Sequence, residues 1–95
     1  MTKKRREMVM SRSREKTRRM IKAITVLIRN TTWKCGRIER LVVNYLRRQL
    51  STFGRVKIPV REMLHHFKLD GKRKNEFFDA IKRLEKRHII RVEGF

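Results

Sequence analysis

Apolar residues recur along this chain in short blocks, and the spacing within each block predicts an element. The clearest is "RIERLVVNYLRRQLSTFG", where Ile38, Leu41, Val42, Tyr45, Leu46 and Leu50 follow helical spacing and Gly54 suits a left-handed helix stop. In "RVKIPV", Val56 and Ile58 alternate with Arg55 and Lys57 as in a short half-buried strand, and Pro59 ends it while fitting the first turn of a helix. That helix is "VREMLHHF", with Val60, Met63, Leu64 and Phe67 inward. The tight connection "KLDG" leads to a longer helix from about Lys72 to Arg87, with Asp70 as N-cap and Phe77, Phe78, Ile81 and Leu84 on its inner face. "HIIRVEGF" then alternates Ile90 and Val92 with Arg91 and Glu93, a strand expected to pair with "RVKI".

Ahead of these blocks, Met20, Ile21, Ala23, Ile24, Val26, Leu27 and Ile28 spread over more than half of a helical wheel. The pattern predicts a helix over 17–30, against a competing strand in "AITVLI" favoured by its β-branched residues. A helix so apolar needs more than one neighbour: either it is sandwiched inside the domain or one side meets a second chain, and in the second case Ile24, Leu27 and Ile28 are the expected homodimer interface. Residues 1–16 hold few apolar side chains, Met1, Met8, Val9 and Met10, and cannot bury a core, so they are expected to form a flexible basic arm. The expected architecture is thus an arm over 1–16 and one domain over 17–95, mainly α with a small two-stranded β element.

Charge changes the picture most. The chain of 95 residues carries 28 Lys and Arg against 9 Asp and Glu, a formal net charge of +19, which calls for a polyanionic partner. An anionic membrane is the rival to nucleic acid, but the longest apolar stretch, "MIKAITVLI", contains Lys22 and falls far short of the ~20 residues that span a bilayer. No secretory pattern opens the sequence, so an intracellular location, cytoplasmic or nucleoid-associated, is expected. Cys35 is the single cysteine, and the adjacent His65 and His66 would diverge by about 100° on a helix, which leaves no sensible metal-ligand set. The four glycines are isolated, so no phosphate-binding loop is present, and neither Cys35 nor any histidine has a recognisable orienting partner. Binding without catalysis, metal or cofactor is the expectation.

Helix, short strand, short helix, tight turn, longer helix, strand is an order that resembles the winged helix-turn-helix superfamily over Arg37 to Val92. The segment "FFDAIKRLEKRHIIRV" is similar to the recognition helix and following strand of many transcriptional regulators. Two departures stand out. His88 occupies the place where such domains commonly carry Gly, though His is among the residues enriched at positive φ. Few residues follow Val92, so the resemblance implies a truncated or absent wing. It also implies that the helix 72–87 enters the major groove of double-stranded DNA. Opposite its core face lie Lys72, Asn75, Glu76, Asp79, Arg83 and Lys86. Lys72, Arg73 and Lys74 crowd the helix N-terminus, where they oppose the helix dipole, a local cost that makes sense beside phosphate. Arg91 on the next strand and Lys3, Lys4, Arg5 and Arg6 of the arm complete the candidate nucleic-acid contacts. Asn75 suits adenine, whereas Glu76 and Asp79 would repel phosphate unless they accept from cytosine or hold an arginine. The bland alternative is a solvated face with Asp79 and Arg83 as an i,i+4 pair.

The leading expectation is a dimeric transcriptional regulator or architectural protein on duplex DNA. RNA binding is the alternative, because a basic tail on a winged-helix core is also similar to a class of small-subunit ribosomal proteins. A protein–protein module of replication or transcription machinery is the third. Few aromatic residues argue against single-strand recognition, and Trp33, the one aromatic in a loop, suits a core plug equally well.

Overall fold

A computed structural model describes residues 21–94. The arm over 1–16 and the start of the expected helix 17–30 lie outside these residues, as does Phe95. The elements run β1 (Ile24–Leu27), α1 (Arg37–Phe53), β2 (Lys57–Pro59), α2 (Val60–His66), α3 (Gly71–Lys86) and β3 (Ile90–Glu93). The described chain is mainly helical with a small antiparallel sheet, as expected, but the sheet has three strands, in the order β2-β1-β3.

The third strand comes from the block expected to be helical. Ile21 and Lys22 are helical, Ala23 breaks the run, and Ile24–Leu27 is a strand. A short continuous apolar run fits a buried strand as well as a buried helix, and the β-branched Ile24, Thr25 and Val26 favour the strand. Tertiary context decides, because β1 finds an open strand edge on each side. Ile24, Thr25 and Val26 pair with Pro59, Ile58 and Lys57, while Ile24 to Leu27 pair with Glu93 to Ile90. The expected pairing of β3 with β2 is therefore replaced, since β1 lies between them.

The register sorts the two sheet faces. Thr25 sits opposite Ile58 and Val92 on the inner face, fully buried, and its hydroxyl donates to the Ile58 carbonyl at 2.7 Å. Val26 sits opposite Lys57 and Arg91 on the outer face. There Glu93 accepts from Arg91 Nε at 2.8 Å and meets Lys57 Nζ at 3.7 Å, a charge cluster that reaches across β1.

Against the inner face pack Val42, Val43 and Leu46 of α1, Val60 and Met63 of α2, and Phe77, Phe78, Ile81 and Leu84 of α3. The inner face of α3 is as expected. That of α1 is rotated from the apolar stripe of helical spacing: Val43 and Glu39 are buried, while Leu41 and Leu50 of that stripe are 43% and 42% exposed. The apolar width that motivated a dimer contact belonged to a helix that does not form there. Ile24 and Leu27 are half-buried, Leu27 against the core, and Ile28 is 50% exposed.

Two helix ends share one device. At the end of α3, His88 adopts φ 57°, its N–H donates to the Glu85 carbonyl, and Ile89 N–H donates back to Leu84 at 3.0 Å. At the end of α2, Lys68 adopts φ 52° and Leu69 N–H donates to Leu64 at 3.1 Å. Both are Schellman closures with a buried or half-buried apolar pair at their base, Ile89 with Leu84 and Leu69 with Leu64. A non-glycine residue at each left-handed position carries a steric penalty. Replacing His88 by Gly is expected to raise unfolding free energy by roughly 0.5–1 kcal/mol, and replacing it by Val to lower it by roughly 1–2 kcal/mol. Urea titrations of the two variants check the order; a Gly variant less stable than wild type would contradict this account of the turn.

Candidate nucleic-acid interface

Helix α2 closes at Phe67 and hands the chain to α3 through Lys68, Leu69 and Asp70. Leu69 anchors this turn on the core, and Gly71 takes φ 54°, the left-handed conformation needed to swing the chain into α3. Asp70 occupies the N-cap position in extended conformation, yet its side chain makes no capping hydrogen bond. The first turn of α3 contains no acid, so the cations there stand unneutralised by their own turn.

With Phe77, Phe78, Ala80, Ile81 and Leu84 buried, the opposite face of α3 is exposed. Lys72, Arg73, Asn75, Glu76, Asp79, Arg83 and Lys86 are all open to solvent. Lys74 is half-buried and lines a cleft of about 510 Å³ at the α2–α3 turn, shared with Arg61, His65 and Lys68. Arg91 projects from β3 on the outer sheet face and is engaged by Glu93. Lys3, Lys4, Arg5 and Arg6 lie outside the described residues.

Arg83 does not pair with Asp79. Its Nε donates to Glu39 Oε1 at 2.8 Å, across from α3 to α1, while its side chain stays 57% exposed. Glu39 is buried at 6% exposure and also faces Arg87 at 3.7 Å. One carboxylate thus fixes two guanidinium groups at the C-terminal end of the α3 face. Arg87 in turn donates to the carbonyls of Trp33 at 2.6 Å and Lys34 at 3.2 Å and lies 3.5 Å from Cys35 Sγ, which sits in the core. The loop between β1 and α1 is thereby tied to the end of α3. Its Trp33 is 69% exposed, so the core-plug alternative does not hold.

Glu39 and Arg87 are absent from the residues that the sequence pattern singles out, and Trp33 appears there only as a loop aromatic with no binding role assigned. A signal existed for Glu39: together with Val42, Val43 and Leu46 it completes an i, i+3, i+4, i+7 stripe, and a carboxylate on a buried stripe needs a cationic partner. The identity of that partner, Arg83, 44 positions away, had no such signal.

A second network holds α2 against α1. Arg55 forks onto Glu62 at 2.8 and 2.7 Å, and the Tyr45 hydroxyl donates to the same carboxylate at 2.7 Å. Tyr45 also packs on His66 and Phe67, with ring centroids 4.6 and 5.5 Å away. Burial, helped by the bond to Glu62, pushes the Tyr45 hydroxyl up to about 12. The Arg55 guanidinium holds the Glu62 carboxyl below the ordinary carboxylate range. Among the described residues, no helix is long and apolar enough to cross a membrane, and no group of His, Cys, Asp and Glu is arranged to hold a metal ion.

No protein-family model, curated protein or solved structure matches the chain.

The Glu62 network has a defined pH signature. Because the folded carboxyl titrates below its unfolded value of about 4.3, its contribution to stability is full above that value and is lost as pH falls through the lower, folded one. Glu62→Gln is expected to lower the urea midpoint at neutral pH, and the two proteins to converge as pH drops below about 4. A gap that stays constant down to acid pH would mean that the charge of Glu62 plays no part.

Proposed function

We propose that this chain binds double-stranded nucleic acid, DNA in the first instance, through the exposed face of α3. The observation that carries the reading is the division of α3 itself. Its inner face is committed to the core, and its exposed side begins with Lys72 and Arg73, with the half-buried Lys74 in the cleft beside them, and ends with Arg83 and Lys86. Cations at both ends match the phosphates on either side of a major groove, leaving Asn75, Glu76 and Asp79 between them for base edges. The net charge of +19 supplies the long-range attraction.

The element order supports a winged-helix-like domain, with α2, the turn and α3 as its helix-turn-helix. In that reading β1 occupies the position beside β3 that a returning C-terminal strand would take. The basic segment 1–16 enters the reading only through its charge, as an arm for phosphates, and a homodimer remains part of it as a regulator's usual form.

Lys72, Arg73 and Lys74 make no side-chain hydrogen bond or ion pair among the described residues, so their joint replacement by Ala is expected to leave the fold intact. Duplex affinity is expected to fall, and the slope of log affinity against log salt to flatten by about one unit for each phosphate that is no longer neutralised. Asn75→Ala is expected to relax sequence preference without changing that slope. Fluorescence anisotropy on a labelled duplex over a salt series reads both; an unchanged slope in the triple variant would overturn the assignment to α3.

A further inference from the structure

The loop between β1 and α1 presents the chain's only tryptophan to solvent, at the C-terminal end of the α3 face. Trp33 lines a cleft of about 440 Å³ with Lys34, Arg83, Lys86, Arg87 and Glu39, a size within the ~300–1,000 Å³ range of small-molecule clefts. Among these residues Glu39 is the one acid, and both of its oxygens face arginines. The cleft therefore offers one large aromatic ring surrounded by positive charge.

It is also held in place. Arg87 grips the carbonyls of Trp33 and Lys34, Trp33 N–H donates to Thr31 Oγ1 at 3.2 Å, and Cys35 N–H closes a turn on the Thr32 carbonyl at 3.1 Å. Lys34 adopts φ 56°, a conformation that side chains other than Gly, Asn and Asp adopt at a penalty. The Arg87 and Cys35 anchors hold that turn, which keeps Trp33 outside while the next residue but one is in the core. Buried apolar surface cannot be the reason for a tryptophan left in water. Lys34 Nζ stands 4.6 Å from the ring centroid, so the ring already carries a cation on its π face.

We infer that this cleft binds one unpaired nucleotide, its base stacked on Trp33 and its phosphate met by Lys34 and Lys86. The inference rests on the nucleic-acid reading above and adds to it a second contact of different chemistry. A base inside a duplex has both faces covered by its neighbours and cannot stack on Trp33, whereas a base in a single strand, a bulge or a frayed end can. A base is a larger and flatter partner for the ring than the Lys34 ammonium, and the displaced ammonium is then free for phosphate. Arg83 and Lys86 belong both to the cleft and to the outer face of α3, so the site lies where a duplex docked on α3 would run out toward its flank. An acidic peptide would satisfy the cations but leave the ring unused.

Trp33 reports on its own site. The full chain is titrated with a short oligothymidylate, an oligouridylate and a blunt duplex, following Trp33 emission for the ring and the anisotropy of labelled nucleic acid for total binding. The expected result is saturable quenching by the single strands, with the duplex binding but leaving emission nearly unchanged. Trp33→Ala is expected to weaken single-strand binding by about tenfold or more, Trp33→Phe to restore part of it, and duplex affinity to stay within about twofold in both. Lys86→Ala is expected to flatten the single-strand salt slope by about 0.7. The two single strands differ in the 2′-hydroxyl and in the thymine methyl group: equal quenching assigns the site to the stacked ring and phosphate, and a difference between them is assigned to the sugar only if an oligodeoxyuridylate behaves like the oligothymidylate. Single-strand binding without quenching, or equal losses for strand and duplex in Trp33→Ala, would overturn the cleft while leaving the α3 reading intact. No binding of any of the three would overturn both.

Discussion

β1 has a partner on each side, and the domain is arranged around that constraint. β2 is three residues long and β3 four, and the two are not paired with each other. Each has one strand neighbour, β1, which is where the inward backbone groups of both are satisfied. With β1 between them, Ile58, Thr25 and Val92 line up as one inner surface, and the helices close over it. The exit of α3 is tied to the same strand, since the N–H groups of Ile28 and Arg29 both donate to the Ile89 carbonyl. The strand therefore sets where α3 ends and, through the α1–α3 packing, which of its faces is left to solvent.

Electrostatics in so basic a chain are a matter of where the few acids go. Glu39, Glu62 and Glu93 are each used to hold cations: Arg83 and Arg87, Arg55, and Arg91 with Lys57. Each of these carboxylates ties together different elements, so the acids act as clamps. The cations of the first turn of α3 have no such partner in their own turn. Repulsion within that cluster favours an anion close by, and the free N–H groups of the helix start point the same way.

The charged face of α3 and the Trp33 cleft meet at Arg83 and Lys86, and Glu39 governs that junction. It is buried and bound to an arginine that is mostly exposed, so it fixes the position of a charge that solvent and ligand can still reach. A guanidinium held in this way loses less freedom on meeting phosphate than a lysine on a free stem. The strained turn at Lys34 and the Arg87 grip give the tryptophan the same quality.

Much of this protein was legible in its sequence. The helical spacing of α1, α2 and α3, the inner face of α3, the stop at Gly54, the change from β2 to α2 at Pro59 and the left-handed His88 all follow from local rules, because each depends on residues within a turn or two of one another. The excess of positive charge needs no structure at all. What the tertiary structure alone decided are the features that join distant positions. Whether Ile24–Leu27 became strand or helix turned on two strand edges supplied by residues 57–59 and 90–93, and the same apolar run satisfied both local patterns. The rotation of α1 that buries Glu39 follows from packing against α3, and its bond to Arg83 and the reach of Arg87 to the carbonyls of Trp33 and Lys34 each span more than 40 positions. No periodicity within a single helix or strand carries information over that distance. Local pattern chose most of the elements; packing chose which surfaces they leave exposed, and the candidate sites lie on those surfaces.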